Sequence, residues 1–286
     1  MAMTLDIGGS FRHELTGCFS QGSDSNPTVV MAEAAYAAHG LHFRYVNCEV
    51  EPDSLGQAVA GARAMNWRGF HCSIPHKTEV IKFLDELGES ARVIGAVNCV
   101  VNRDGKLVGE NTDGKGFVKA FEEVRSAVGQ TVVLLGAGGA ARAIAVELAL
   151  AGAKKIYIVN RSAERGQILA DLLNENTQAT AEFIEWNKTF VIPGDTTAVI
   201  NSTPIGMAGV GNLQDIDYDS IDDTMVVADV IINPPSTPFL EEAAKRGAQT
   251  LNGHGMVVYQ AVVGIKYWTG ADVDPEVLRP QLVSVL

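Results

Sequence analysis

The chain is poor in positive charge. Its 286 residues include 22 lysines and arginines against 34 aspartates and glutamates, a formal net charge of −12. That balance argues against holding nucleic acid or an anionic membrane by bulk electrostatics, so an anionic ligand must meet donors placed locally. Cysteine is scarce too. Cys18, Cys48, Cys72 and Cys99 are scattered with no C-x-x-C pair, which suits reduced thiols in a cytosol. No uninterrupted apolar stretch is long enough to span a bilayer, the N-terminus shows no signal-peptide core, and there is no internal repeat or low-complexity tract. A cytoplasmic protein with no membrane or nucleic-acid partner is expected. Hydrophobic residues make up 47% and charged residues 20%, ordinary for a globular chain, and the length calls for two domains.

What the chain does have is concentrated between Thr131 and Arg161. Thr131 to Leu135 is a continuous aliphatic run, the pattern of a strand covered on both faces. Gly136-Ala137-Gly138-Gly139-Ala140-Ala141 follows at once, and Ala141, Ile144, Ala145, Leu148 and Ala149 then recur at helical spacing up to Gly152. Ile156 to Val159 reads as a second buried strand. Strand, glycines, helix and strand in this order form a βαβ unit whose turn has the G-x-G-x-x-A form of a dinucleotide site. Gly136 permits the tight turn, Gly138 lets a pyrophosphate approach the backbone, and Ala141 lets helix and strand pack closely. The helix start offers N–H groups and a positive dipole end to the phosphates.

The second strand ends in Asn160-Arg161-Ser162, with Arg165 one turn later and no acid at its tip. A fold selective for NAD usually has an acid there for the ribose hydroxyls, whereas a 2′-phosphate needs cations. Arg161 can lie over the adenine and, with Arg165, form a planar fork for a phosphate, so NADP is the expected cofactor.

Before this unit, strands are expected at Leu15 to Phe19, Phe43 to Val50 and Gly69 to Ile74, after a frayed lead-in over the first dozen residues. Helices are expected from Pro27 to Gly40, from Asp53 or Ser54 to about Met65, and from Pro75-His76-Lys77 through Leu87. Asp104-Gly105 marks a hairpin between Val97 to Val101 and Leu107 to Gly109. Asn111 to Gly116 reads as a glycine-rich break, with a helix after it on Phe117, Phe121, Val124 and Val128. Further strands are expected at Ala198 to Asn201 and Met225 to Ile231, and a helix from Pro238 to Arg246. After a second break, Asn252 to Met256, a final helix carries Val257, Ala261, Ile265 and Trp268. The expected fold class is α/β: an N-terminal α/β substrate domain, residues 1–112 with 253–286, and a C-terminal doubly wound Rossmann domain, residues 113–252. A cleft between two such domains is the expected place for a substrate.

Seven motifs occur in one order: Ser73-Ile74-Pro75-His76-Lys77, Gly95-Ala96-Val97-Asn98, Asn111-Thr112-Asp113, the glycine turn at 136–143, Asn160-Arg161-Ser162, Asn201 to Met207, and Gly255-Met256 to Gln260. From about residue 15 to Trp268 their order and spacing resemble the shikimate/quinate dehydrogenase family. The resemblance implies NADP-linked interconversion of 3-dehydroshikimate and shikimate, or of a close ring-acid analogue. Quinate and aminoshikimate dehydrogenases and a catalytically weak NADP-binding regulatory protein are the alternatives. The expected partner is a small ring hydroxy acid, with no metal, in a monomer or homodimer.

Hydride transfer from a secondary alcohol requires its hydroxyl proton to leave, so a base must touch that oxygen. Lys77, at the start of an expected helix, would have its ammonium disfavoured by the dipole, and Asp113 in the expected interdomain loop could orient it. By residue type alone Lys77 is more readily a solvated helix-start lysine, since most lysines are exposed. The resemblance implies that Lys77 and Asp113 are the catalytic pair. It also implies that Ser23, Ser25, His71, Ser73, Asn98 and Gln260 hold the substrate. Gly136, Ala137, Gly138, Gly139 and Ala140 would hold the pyrophosphate. Asn160, Arg161, Ser162 and Arg165 would take the adenosine end, and Thr203, Pro204, Met207, Gly253 and Met256 would lie near the nicotinamide.

The chain departs from the family pattern on one side of the substrate. Where the family has Ser-x-Ser-Pro for the carboxylate, this chain reads Ser23-Asp24-Ser25-Asn26-Pro27. With one inserted residue Ser23 and Ser25 keep the pattern; aligned on Pro27, the positions become Asp24 and Asn26. An aspartate there would repel a carboxylate. His71 replaces an asparagine, Ser73 a threonine, Cys99 a threonine and Ile232 a tyrosine. The chemistry is expected to be kept and the substrate's acid end to be recognised differently.

Overall fold

A computed structural model describes residues 12–211 and 213–286, so the expected lead-in lies, Arg12 apart, outside the described residues. The chain forms two compact units. One runs to Asn111 and resumes at Ala261; the other is Thr112–Gln260.

The first unit opens with β1 (Glu14–Ser20), α1 (Thr28–Ala38), β2 (Phe43–Glu49), α2 (Leu55–Ala64) and β3 (Gly69–Cys72). β4 (Glu86–Leu87), α3 (Glu89–Ile94), β5 (Cys99–Arg103) and β6 (Lys106–Glu110) follow. They build one sheet in the order β2-β1-β3-β5-β6-β4. β1 is parallel to both β2 and β3, and β5 is antiparallel to β3 and β6. Phe19 and Phe70 stack at 4.3 Å between centroids, with Trp67 beside them, at the centre of an apolar core. The hairpin expected at Asp104-Gly105 is present, with both residues at positive φ (53° and 92°).

The second unit begins with α4 (Thr112–Glu122), β7 (Thr131–Leu135), α5 (Gly139–Leu150), β8 (Lys155–Asn160), α6 (Ala163–Asn176) and β9 (Thr180–Glu185). It continues through β10 (Ala198–Asn201), β11 (Val226–Asp229), α7 (Pro238–Lys245) and β12 (Gln249–Leu251). The sheet is parallel throughout, in the order β12-β11-β10-β7-β8-β9. This is the doubly wound arrangement, whose direction of winding reverses between β7 and β10. Ala141, Ile144, Ala145, Leu148 and Ala149 are all buried, as their spacing requires. The chain crosses back to the first unit inside α8 (His254–Thr269), where Trp268 Nε1 donates to Val100 O at 3.0 Å. α9 (Pro275–Val283) ends the chain and packs on α1 through buried Leu278 and Leu282.

Two expected elements are corrected. No α-helix runs from Pro75 to Leu87: residues 75–78 turn, Glu79–Phe83 is a short 3-10 segment and Glu86–Leu87 is a strand. The sheet wins this stretch. The ring of His76 pairs with Val50 O at 2.8 Å, Val97 N donates to Lys77 O at 2.7 Å, and β4 joins β6. Asn111 to Gly116 is not a break, because α4 already begins at Thr112. Its glycines serve close approach: a Cβ on Gly114 would lie 2.2 Å from Ala143 O, and one on Gly116 2.6 Å from Gln260 N. The second break likewise shortens, with α8 starting at His254, and that helix is not the last. α3, α6, β9, β12 and α9 come from stretches for which the sequence predicts no element.

Candidate active site

In the second unit the carboxyl ends of β7, β8 and β10 carry the glycine turn and its flanks. Gly136, at φ 110°, donates to Val159 O at 2.8 Å, and its missing Cβ leaves room for Ser202 Oγ, which donates to Leu135 O at 2.7 Å. Gly138 caps α5 with no side chain over it, and a Cβ on Gly138 or Gly139 would meet no atom within 4 Å. The turn over Gly136, Ala137, Gly138, Gly139 and Ala140 is therefore an open backbone cradle at the start of a 12-residue helix. It fits a pyrophosphate in both shape and field.

Beside it, Ser162 caps α6 by accepting from Arg165 N at 3.4 Å, and Asn160 Nδ2 donates to Ser162 O at 2.9 Å. Arg161 and Arg165 are exposed. Arg161 lines a cavity of about 310 Å³ together with Trp186, Asn187, Lys188, Ile205 and Asp215. Lys188 is a further cation at this mouth. It was reachable only through β9, whose end brings Trp186 N to Asn160 O at 3.0 Å.

The loop after β10 is braced by a buried polar knot. Thr203 donates to Asn201 Oδ1 through N (3.0 Å) and Oγ1 (2.7 Å), and Asn201 Nδ2 donates to Asp229. Burial holds the Asp229 carboxyl above the usual range, against the pull of its donors Thr237, Ile231 and Asn201. Pro204 O accepts from Met207 N at 3.1 Å, and the Met207 side chain is exposed. Gly253 passes so close to β11's continuation that a Cβ would sit 2.5 Å from Val230 O. Asp113 stands half-buried in the first turn of α4, not in a loop. Met256 and Gln260 lie on α8 against Gly116, and Thr112 Oγ1 donates to Gln260 Oε1 at 3.5 Å.

In the first unit, parallel β1, β2 and β3 end side by side at Ser20, Glu49 and Cys72. Ser73 and Lys77 follow β3, and Asn98 precedes β5. Cys72 N donates to Asn98 O at 2.8 Å, and Ser73 N to Phe19 O at 3.1 Å. The half-buried Lys77 is in a turn, so no α-helix dipole acts on it; its charge acts instead on the Cys18 and Cys72 thiols. Burial dominates both: it pushes Cys18 up to about 11 and Cys72 well above its ordinary value. Asn111 Nδ2 donates to Ala96 O at 3.1 Å. His71 is not brought to the open strand ends. It is 5% exposed, with Nδ1 2.8 Å from Tyr45 Oη, its ring 4.6 Å from that of Trp268, and Gly264 making room for it.

The serine turn holds the largest departure from expectation. Ser23 is buried, its N–H donates to Glu49 Oε2 at 2.8 Å, and its hydroxyl also bonds Glu49. Ser25 Oγ donates back to Gly22 O at 2.9 Å. Asn26 is half-buried, accepts from Thr28 N at 3.0 Å, and acts to lower the Cys18 thiol and the Tyr45 phenol against their burial. Glu49 carries no motif; only its place at the end of a strand beside β1 could have drawn attention to it.

Two family models match the chain: the shikimate dehydrogenase substrate binding domain over residues 25–100, and shikimate / quinate 5-dehydrogenase over residues 119–203. An NADP-dependent shikimate dehydrogenase of Desulforamulus reducens is 41% identical over 271 residues, covering 93% of each chain. The chain belongs to the shikimate/quinate dehydrogenase family. Among solved structures, the 5-ketofructose reductase of Gluconobacter sp. strain CHM43 superposes with a TM-score of 0.94 at 50% identity, covering 97% of this chain and all of that one. Shikimate 5-dehydrogenase of Listeria monocytogenes, solved with shikimate and NAD, gives 0.88 at 32% identity over 95% of this chain and 96% of that one.

Proposed function

We propose that the protein is an NADP-linked oxidoreductase that interconverts a hydroxyl and a ketone on a small polyhydroxylated compound, with Lys77 as the proton-transfer group and Asp113 as its partner. The observation that carries this reading is the open glycine cradle of α5, in a parallel sheet whose neighbouring strand ends in Arg161 rather than an acid. Gly136 to Ala140 would hold the pyrophosphate. Asn160, Arg161, Ser162 and Arg165 would hold the adenosine end and its 2′-phosphate. Thr203, Pro204, Met207, Gly253 and Met256 would flank the nicotinamide. The cofactor, when bound, supplies or accepts the hydride. Lys77 moves the proton at the reacting oxygen, and Ser73, Asn98 and Gln260 hold neighbouring hydroxyls.

One reading of the substrate pair is 3-dehydroshikimate and shikimate or a close ring-acid analogue, supported by the 41% identity to a shikimate dehydrogenase. A second reading, an uncharged polyhydroxylated ketone, is favoured by the 50% identity to a 5-ketofructose reductase. In either case the protein works on a small molecule in the cytoplasm, as a monomer or homodimer. Among the described residues no helix is long and apolar enough to cross a membrane.

The test is NADPH oxidation with each ketone, in wild type and Lys77→Ala. The variant is expected to lose at least ~10²-fold in kcat, the lower end for general acid–base catalysis, while NADP affinity by fluorescence titration stays near wild type. A near-normal kcat at saturating substrate refutes the assignment.

A further inference from the structure

We propose that Glu49 sets substrate specificity by excluding carboxylates, so that the preferred substrate is an uncharged polyhydroxylated ketone rather than a ring acid; this rests on the oxidoreductase reading above.

The placement comes first. Ligands of parallel sheets gather beyond the carboxyl ends of the strands, and Ser20 and Glu49 are paired there, at the ends of β1 and β2. The turn that follows β1 holds the serines to which the family resemblance assigns a substrate carboxylate. In this protein an internal carboxylate has taken that role. Glu49 Oε1 accepts from Gly22 N at 2.9 Å, and Oε2 accepts from Ser23 N at 2.8 Å. Together with the Ser23 hydroxyl, these bonds hold the Glu49 carboxyl below its usual range, so it is an anion at neutral pH. The donors that could receive an acid are thus already engaged by one, and Ser25 is turned back onto Gly22.

The surrounding charge points the same way. Asp24 is exposed on the same turn, and Glu51, bonded to Gln21, follows two residues after Glu49. Between His13 and Ala62 the only lysine or arginine is Arg44, which is paired with Glu33 at 2.9 Å. A carboxylate arriving at this turn would meet like charge, and β1, β2 and the segment joining them supply no cation beyond the paired Arg44 to offset it. An uncharged substrate fares differently. The exposed Glu49 is an acceptor with lone pairs beyond the two N–H bonds, and it can take a hydrogen bond from a substrate hydroxyl. The ring-hydroxyl end, at Lys77, Ser73 and Asn98, serves both substrate classes and does not distinguish them.

The experiment uses the full-length protein with NADPH and two ketones, 3-dehydroshikimate and 5-ketofructose, in wild type, Glu49→Gln and Glu49→Ala. Wild type is expected to prefer the uncharged ketone by at least about tenfold in kcat/KM, the scale of one like-charge contact near a surface. Glu49→Gln, which keeps the shape and removes the charge, is expected to move the ratio toward the acid by about tenfold, through KM more than kcat. A turnover-independent arm titrates shikimate into each variant by calorimetry in the presence of NADP⁺. Glu49→Gln should bind it about tenfold more tightly than wild type. Equal shikimate affinity in wild type and both variants, or a wild type that prefers the acid, overturns the proposal. Failure of both ketones to turn over would instead overturn the oxidoreductase reading, and the calorimetry would still decide the role of Glu49.

Discussion

Asn201 and Asp229, the last residues of neighbouring parallel strands, are joined side chain to side chain, the amide Nδ2 donating to Oδ1 at 3.0 Å with both residues buried. Each then holds a loop. Asn201 Oδ1 accepts from Thr203, while Asp229 accepts from Ile231 N at 3.0 Å and from Thr237 Oγ1 at 2.7 Å. One knot thus fixes both the loop of Thr203 to Met207 and the start of α7.

Asp229→Ala should therefore cost more than the loss of one contact. It strands the donors Ile231 N and Thr237 Oγ1 and leaves Asn201 Nδ2 with only its long bonds to Thr203 O and Ile205 O; each unsatisfied group costs about 1–3 kcal/mol. A loss of roughly 3 kcal/mol or more is expected, read as a lower urea midpoint with unchanged slope. Thr237→Val, which removes one donor to Asp229 and the cap acceptor of Leu240 N, should cost less, roughly 1–2 kcal/mol. Equal effects would mean that Asp229 does not gather the network.

The glycines of α4 offer a second test. A methyl group on Gly116 would lie 2.6 Å from both Gln260 N and Met256 O, backbone atoms that cannot swing aside. Gly116→Ala improves helix propensity by about 1 kcal/mol, yet the clash should outweigh it and destabilise by roughly 1–3 kcal/mol. Because α8 carries Gln260, KM for substrate should rise as well. A more stable variant with wild-type KM would show that α4 and α8 are not so closely packed.

These glycines also show where the sequence stops being legible. The unit from β7 to β8 could be read because its signals are local: an aliphatic run, a glycine turn and a face at helical spacing. Asp104-Gly105 was legible for the same reason, since a tight hairpin needs positive φ at both positions. At Gly114 and Gly116 the same residue type served a helix contact instead, and local chemistry cannot tell a flexible glycine from a close-packed one. The helix expected after Pro75 failed because the partners of His76, Lys77 and Glu86 lie far away, at Val50, Val97 and Val108. The altered serine turn was visible in Ser23-Asp24-Ser25-Asn26. That Glu49 would occupy it was not, because only the pairing of β1 with β2 sets Glu49 beside Ser23.

The thiols give a pH-dependent test of the first unit. None of the four cysteines is in a disulfide, and only Cys48 is not buried. Cys18 is pushed up to about 11 by burial, with the bonds to Ser20 and Asn26 and the charge of Lys77 pulling down without prevailing. At pH 8 a disulfide reagent should modify one thiol quickly in the folded protein, and Cys48→Ser should abolish that phase. Cys18 should stay slow, its rate still climbing as pH approaches about 11. Removing the cation in Lys77→Ala should raise Cys18 further and slow it more. Fast labelling of Cys18 at pH 8 would mean that the strand ends around Lys77 are far wetter than described.

On the proposed reading, cofactor choice rests on the cations at the mouth of the Trp186 cavity. Arg161 and Lys188 both line it, with Asp215 as the opposing charge. If Arg161 grips the 2′-phosphate, Arg161→Ala should lose roughly 1.5–3 kcal/mol, about one to two decades in kcat/KM with NADP, and far less with NAD. Lys188 is exposed and offers a point charge rather than a planar fork. Lys188→Ala should therefore weaken NADP binding by no more than about fivefold, the upper range of an exposed ion pair, with a loss that fades in high salt. If the cofactor's 2′-phosphate enters this cavity, Trp186 should report binding, because it lines the same cavity and its Nε1 is fixed on Asp215 O at 2.9 Å. Fluorescence titration with NADP and NAD separates these effects from turnover. Equal losses for both cofactors in Arg161→Ala would place that side chain on the adenine alone and leave the 2′-phosphate to Arg165 and Lys188.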